Sequence, residues 1–317
     1  MEYRKLISFG KSSFVISLPK AWLQKNKLKK GEVIYITEEA NNLMISPNMQ
    51  EGEPEEREMV IDTEGKSIDD IKREITSLYI ANFGTLIITG KDLSDKAKKI
   101  RNILQNLMAF EIMEQTSNKI IAKDFLDIKS ISIPQLIKKM DIITRAMMDD
   151  SKNTLSDDKT ENIFHRDEDV NRLSHMLNKV IRKAFRNSSV AKTLKMDSLK
   201  LLANWWAIIC IEKVADEAKR IAEALSEISK KKNPKPEFRR DLIKLYSEVQ
   251  EFYTDMMKAF FDFDAQAAFD IAQKKYAILK DCRVFMEKHP CVAESPAEKL
   301  ETMTLNIHNI GRAIYTN

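Results

Sequence analysis

Two carboxylates, Glu212 and Asp216, stand one helical turn apart and continue a line of apolar residues, Leu201, Trp205 and Ile208. The opposite side of the same stretch is apolar as well, through Ala203, Ala207, Cys210, Val214, Ala218, Ile221 and Leu225. A helix that is apolar on two sides lies inside a bundle, where an unpaired carboxylate is costly. These acids therefore need a cation, a lysine or open solvent, and they are the leading site candidate. A second signature is electrostatic. Residues 1–47 hold Arg4, Lys5, Lys11, Lys20, Lys25, Lys27, Lys29 and Lys30 against four glutamates, a net +4 that equals the charge of the whole chain. Clustered cations of this kind bind nucleic-acid phosphates by counterion release, or else form a solvated face for protein contacts.

Other chemistries are poorly served. Gly10-Lys11-Ser12 and Gly65-Lys66-Ser67 lack the earlier glycine of a phosphate-cradling loop, its place being taken by Lys5 and Val60, so both read as turns. His165, His175, His289 and His308 are scattered, and Cys210, Cys282 and Cys291 lack metal-ligand spacing and read as reduced thiols. No nucleophile–base or paired acid–base arrangement emerges, so the chain is not expected to be an enzyme. No apolar run approaches the roughly 18 residues needed to span a bilayer, and the first residues begin a strand instead of a leader, so a cytoplasmic location is expected. Trp205 and Trp206 read as packing within the core and between repeats, and the methionines as gap-filling core.

The elements that must position these residues fall into three groups. Residues 3–9 and 14–18 read as strands joined by Gly10-Lys11-Ser12-Ser13. Pro19 opens a short helix over 20–24, the turn Lys29-Lys30-Gly31-Glu32 follows, and strands cover 33–36 and 43–46. So few residues exclude too little surface for a core, which makes a partner copy the expected remedy. An acidic linker spans 48–57. Residues 58–130 read as a small βαβαββ unit with strands at 58–62, 85–88, 110–114 and 119–122, a helix capped by Ser67, and a helix over 94–107; it is a ligand sensor, a spacer or a dimerising element. From residue 131 the chain is helical: 133–150, 158–187, 195–230, 236–262, 264–288 and 293–316, two sets of three (131–232 and 236–317). The third and sixth helices look related, Glu212 falling on Glu301 and Ile221 on Ile310.

The ordered set in residues 3–47, a Gly-x-Ser turn, an alternating strand, Pro19-Lys20, Gly31-Glu32 and a β-branched strand, resembles the SpoVT/AbrB and MazE-like swapped-hairpin family. The resemblance implies two chains interlacing into one small barrel that reads DNA, with Arg4, Lys5, Lys11, Ser12, Ser13 and Lys20 as the contacting set. The helical part resembles the PhoU family, whose third helix in each repeat ends in an acidic pattern matched here by Glu212, Asp216, Ala218, Ile221 and Ala222. A companion element on the middle helix is similar to the run from Asp167 to Leu173, with Asn171 where the family has aspartate, whereas the second repeat keeps Glu301 but has Leu305. The resemblance implies that Asp167, Asn171, Glu212 and Asp216 hold a divalent metal ion. A salt-bridge network with Lys213, Lys219 and Arg172 is the alternative. Together the two halves resemble archaeal phosphate uptake regulators. The fold expected is multidomain α+β: a swapped-hairpin barrel, a βαβαββ unit and paired three-helix bundles. The function implied is a homodimeric transcriptional regulator of phosphate uptake with promoter DNA, transporter components or a sensor as partners. The rival is an adaptor that docks on a phosphate transporter or sensor kinase and uses the hairpin only to dimerise.

Overall fold

The computed structural model describes residues 3–39, 42–47, 57–232, 234–290 and 292–315. The linker expected at 48–57, apart from Arg57, and Cys291 therefore lie outside the described residues. The chain divides into two compact units, Met1–Glu55 and Glu56–Asn317.

In the first unit, β1 (Ile7–Phe9) pairs antiparallel with β2 (Ser13–Val15), and β3 (Tyr35–Glu39) with β4 (Asn42–Ser46). These are separate two-stranded sheets, with α1 (Lys20–Lys25) between them in sequence. The paired strands are shorter than the 3–9 and 14–18 expected, and β3 starts two residues later than expected. Gly10 makes the first turn at a φ of 72°, which favours glycine. Pro19 precedes α1 and its carbonyl accepts from the Leu23 amide at 3.1 Å. None of the described residues of this unit is buried.

The second unit begins with a four-stranded sheet of order β5-β6-β8-β7, from β5 (Glu58–Asp62), β6 (Thr85–Thr89), β7 (Phe110–Gln115) and β8 (Lys119–Asp124). Only β5 and β6 are parallel. Helices α2 (Ile68–Ile80) and α3 (Leu93–Gln105) pack onto this sheet, and Ile71, Ile75, Tyr79, Ile100 and Leu104 join Leu86, Ile88, Ile120 and Ala122 in one core. Ser67 caps α2: its Oγ accepts from the Asp70 amide at 3.2 Å and donates to the Asp70 carboxylate at 2.6 Å.

The helical part contains α4 (Ile133–Lys152), α5 (Thr160–Arg186), α6 (Ser188–Thr193), α7 (Ser198–Lys232), α8 (Pro236–Asp262), α9 (Ala265–Ala272), α10 (Lys274–Lys288) and α11 (Glu294–Tyr315). α4, α5 and α7 pack together, α8 to α11 form a second set, and α7 against α11 joins the two over a continuous core. Two details differ from expectation. Asn187 does not merely end a helix: its side chain accepts from the Ser189 amide at 2.9 Å and starts α6. The helix expected over 264–288 is broken at Gln273, where the amides of Gln273 and Tyr276 bond three residues back instead of four.

Lys179 of α5 clasps the sheet unit to the bundle. It is 1% exposed, its Nζ lies 2.8 Å from Asp124 at the end of β8 and 4.0 Å from the centre of the Tyr79 ring. Its backbone carbonyl accepts from Asn82 at 3.0 Å. Burial lowers the Lys179 pKa and Asp124 opposes that shift.

Candidate functional site

The acidic cluster of the first repeat is assembled from two helices. Asp167 and Asn171 stand four residues apart on α5, so they share a face, and Glu212, Asp216 and Lys219 follow one another on α7 at four- and three-residue intervals and do the same. Packing of α5 on α7 brings Asp167, Asn171, Glu212 and Asp216 together. What lies among them is Lys219. Its Nζ donates to Asp167 at 2.6 Å and to Asp216 at 2.9 Å.

Electrostatics follow from this geometry. Burial raises the Asp167 pKa, with Lys219 pulling the other way. Burial also drives Glu212 up to about 7, reinforced by the charges of Asp216 and Asp167. Burial works against the Lys219 ammonium, but its bonds to the two aspartates outweigh this and hold its pKa above the ordinary lysine value.

The set does not fit a divalent ion. The ammonium of Lys219 already bridges the two aspartates where such an ion would sit. Asn171 turns its amide nitrogen to Asp167 at 3.2 Å, because a carboxylate can only accept, so this side chain serves as a donor here and not as a ligand. Among the described residues no group of three or more His, Cys, Asp or Glu side chains is placed to hold a metal. The lysine partner named from sequence is present; Lys213 and Arg172 take no part in the bridge, Arg172 pairing instead with Asp169 at 3.6 Å.

Sequence reasoning missed three buried charged residues: Asp141, paired with Arg145 at 2.8 Å, Glu217 and Lys179. Glu217, 6% exposed, faces inward and is tied to Arg220 at 2.6 Å. Lys179 sits on the apolar stripe of α5 between Met176, Leu177, Val180 and Ile181, a misplacement in the pattern that signals a buried partner. Trp206 is 39% exposed instead of core, although its indole nitrogen donates to the Asn309 carbonyl of α11 at 2.9 Å and so still joins the repeats. Cys210 and Cys282 are buried thiols pushed up to about 12, chiefly by burial, which leaves them unreactive at neutral pH.

The residues expected to meet DNA are spread along the first unit. Lys11 and Ser12 form the β1–β2 turn, Ser13 opens β2, Lys20 opens α1, and Arg4 and Lys5 precede β1; all are exposed. Alternation along this hairpin puts Ile7, Phe9 and Val15 on one face and Phe14 on the other, so apolar side chains stand on both. Phe9 is 70% and Phe14 67% exposed.

Among the described residues no helix is long and apolar enough to cross a membrane. No curated protein matches the chain. A solved structure of PhoU from Pseudomonas aeruginosa aligns with 58% of this chain and 90% of its own, at 18% identity and a TM-score of 0.43. The family model "Antidote-toxin recognition MazE, bacterial antitoxin" matches residues 7–53, a span that includes Lys11, Ser12, Ser13 and Lys20. The PhoU domain model matches residues 137–225, which contain the whole Asp167–Lys219 cluster, so the chain joins a segment similar to MazE antitoxins to one similar to PhoU domains.

Proposed function

We propose that this chain is a cytoplasmic, homodimeric, non-enzymatic DNA-binding regulator of phosphate uptake, in which the hairpin unit grips promoter DNA. The helical part reports phosphate status through a transporter component or sensor. The observation that carries the reading is the first unit itself, which has no buried residue among those described, apolar side chains on both hairpin faces and exposed cations along its length. A second copy would cover the apolar faces and present two sets of cations to one duplex. Similarity to MazE antitoxins and PhoU domains supports the two roles.

The test is fluorescence anisotropy of the full chain on DNA from upstream of its own gene, across a range of salt. Tight binding with a steep salt slope is expected. Replacing Arg4, Lys11 and Lys20 by Ala should weaken binding to every sequence and flatten the slope by roughly one unit per lost phosphate contact. Absence of DNA binding with an intact dimer would favour the adaptor, a reading the antitoxin similarity also admits. Unchanged affinity in the triple variant would move the interface away from the hairpin.

A further inference from the structure

A cavity of about 800 Å³ lies within the second unit, walled by α2, α3 and α5. That volume is in the range of small-molecule sites and far exceeds what orthophosphate needs. Its charged lining is asymmetric: Lys72 and Arg73 from α2 and Arg172 and Arg182 from α5 stand against Asp69 and Glu168. The same lining holds His175, whose pKa is lowered by burial and by the charge of Lys72.

The cations are not consumed by the fold. Among the described residues Lys72 and Arg182 form no ion pair, and Arg73 and Arg172 pair only with exposed aspartates on their own helices, at 3.3 and 3.6 Å. The Nε of Arg172 is buried and has no hydrogen-bond partner. The lining also includes the amides of Asn102 on α3 and Asn106 just beyond it, while Ile80, Ile103 and Leu107 supply apolar surface. Cations combined with amides and aliphatic side chains in one cavity match a molecule that has an anionic end and a flat or apolar body. Free orthophosphate would engage the first and leave the second unused.

We propose that the cavity between α2, α3 and α5 is an effector site for a small phosphate ester of the nucleotide class, its phosphate held by Arg172, Lys72 and Arg182 and its body lying on Ile103 and Leu107. The proposal is independent of the DNA reading, because it concerns only the second unit. It would place the effector beside Asn171, which lines the same cavity and bonds Asp167 of the acidic cluster. Ligand and lysine bridge would then share one turn of α5.

The experiment is calorimetric titration of the full chain, in EDTA, with AMP, ATP, adenosine and orthophosphate, alongside thermal melts. AMP or ATP should bind once per chain and raise Tm, with adenosine and orthophosphate at least ten-fold weaker. Arg172→Ala combined with Lys72→Ala should reduce nucleotide affinity ten-fold or more. Because Arg172 is half-buried, the exposed pair Lys72→Glu and Arg182→Glu provides a second variant that does not disturb the core and should lose binding equally. No binding by either nucleotide overturns the proposal, as does orthophosphate binding as tightly as AMP. Nucleotide binding that survives both variants, or that disappears instead when Arg4, Lys11 and Lys20 are replaced, puts the anion on another surface and overturns it too.

Discussion

Residues 3–47 and residues 57–315 solve the problem of burial in opposite ways. In the first unit not one described residue is buried, and Leu6, Phe9, Phe14 and Ile16 all face solvent in the single chain. In the second, two cores, one over the sheet and one along the helices, exclude water on their own. Charge is handled oppositely as well. The first unit leaves its cations at the surface, whereas the second buries Lys179 and shelters Lys219 and gives each a carboxylate within 2.6–2.8 Å. On the proposed reading, a unit that does not bury its apolar strands alone gains its core from a second copy, and its exposed cations serve a polyanion. A self-sufficient unit can instead set charges inside itself as clasps and switches.

The largest expected effect breaks that contrast at its weak side. Phe9→Asp with Phe14→Asp should convert a dimer to a monomer in sedimentation and abolish DNA binding, while the helical signal of the second unit persists in circular dichroism. Persistence of the dimer would place the association surface on the second unit. Next comes the clasp: Lys179→Ala leaves Asp124 without its partner and opens a void, so chemical denaturation should show a loss of about 3–5 kcal/mol. The pair Lys179→Met with Asp124→Asn, which removes both charges and keeps the volume, should recover most of it. Equal losses in the two variants would mean that packing and not charge sets the cost.

The bridge of the first repeat is partly exposed and its effect smaller. Lys219→Ala should cost about 2 kcal/mol, less than a fully buried pair, by stranding Asp167 and Asp216. If Mn²⁺ or Mg²⁺ then restores the melting temperature of this variant but not of the parent, the lysine stands in for a cation. A parent that itself melts lower after chelation would contradict the lysine bridge. The smallest effect is a pH slope. Glu212 rises from its ordinary value to about 7 on folding, so the folded state binds the proton more tightly than the unfolded one. Its stabilising contribution is therefore complete below pH about 4.5 and is lost as pH climbs through about 7. Glu212→Gln should flatten this decline and leave the variant on the order of 1–2 kcal/mol more stable than the parent at pH 8. Parallel stability–pH curves for parent and variant would show that Glu212 ionises freely in the fold.

Much of this was legible from residue order. Alternation and turn residues located the hairpins, Ser67 and Asp70 marked the start of α2, and helical spacing put Glu212 and Asp216 on one line with Leu201 and Ile208, because these signals act within a few residues of chain. The break at Gln273 was not legible, since no glycine or proline marks it and the altered hydrogen bonding is confined to one turn. The acids of the first repeat could be found in sequence, but whether their counter-charge is a metal or a lysine could not, because Lys219 is linked to Asp167 only by the packing of α5 on α7. Lys179 shows the same limit, with Asp124 fifty-five positions away in the chain and 2.8 Å away in the fold. The cavity lined by Lys72, Asn106 and Arg172 is likewise a product of three helices meeting. Sequence determined which side chains share a face, through the 3.6- and 2-residue periods of the backbone; only the tertiary structure decided which faces meet, and with them the partners of Lys179 and Lys219 across elements.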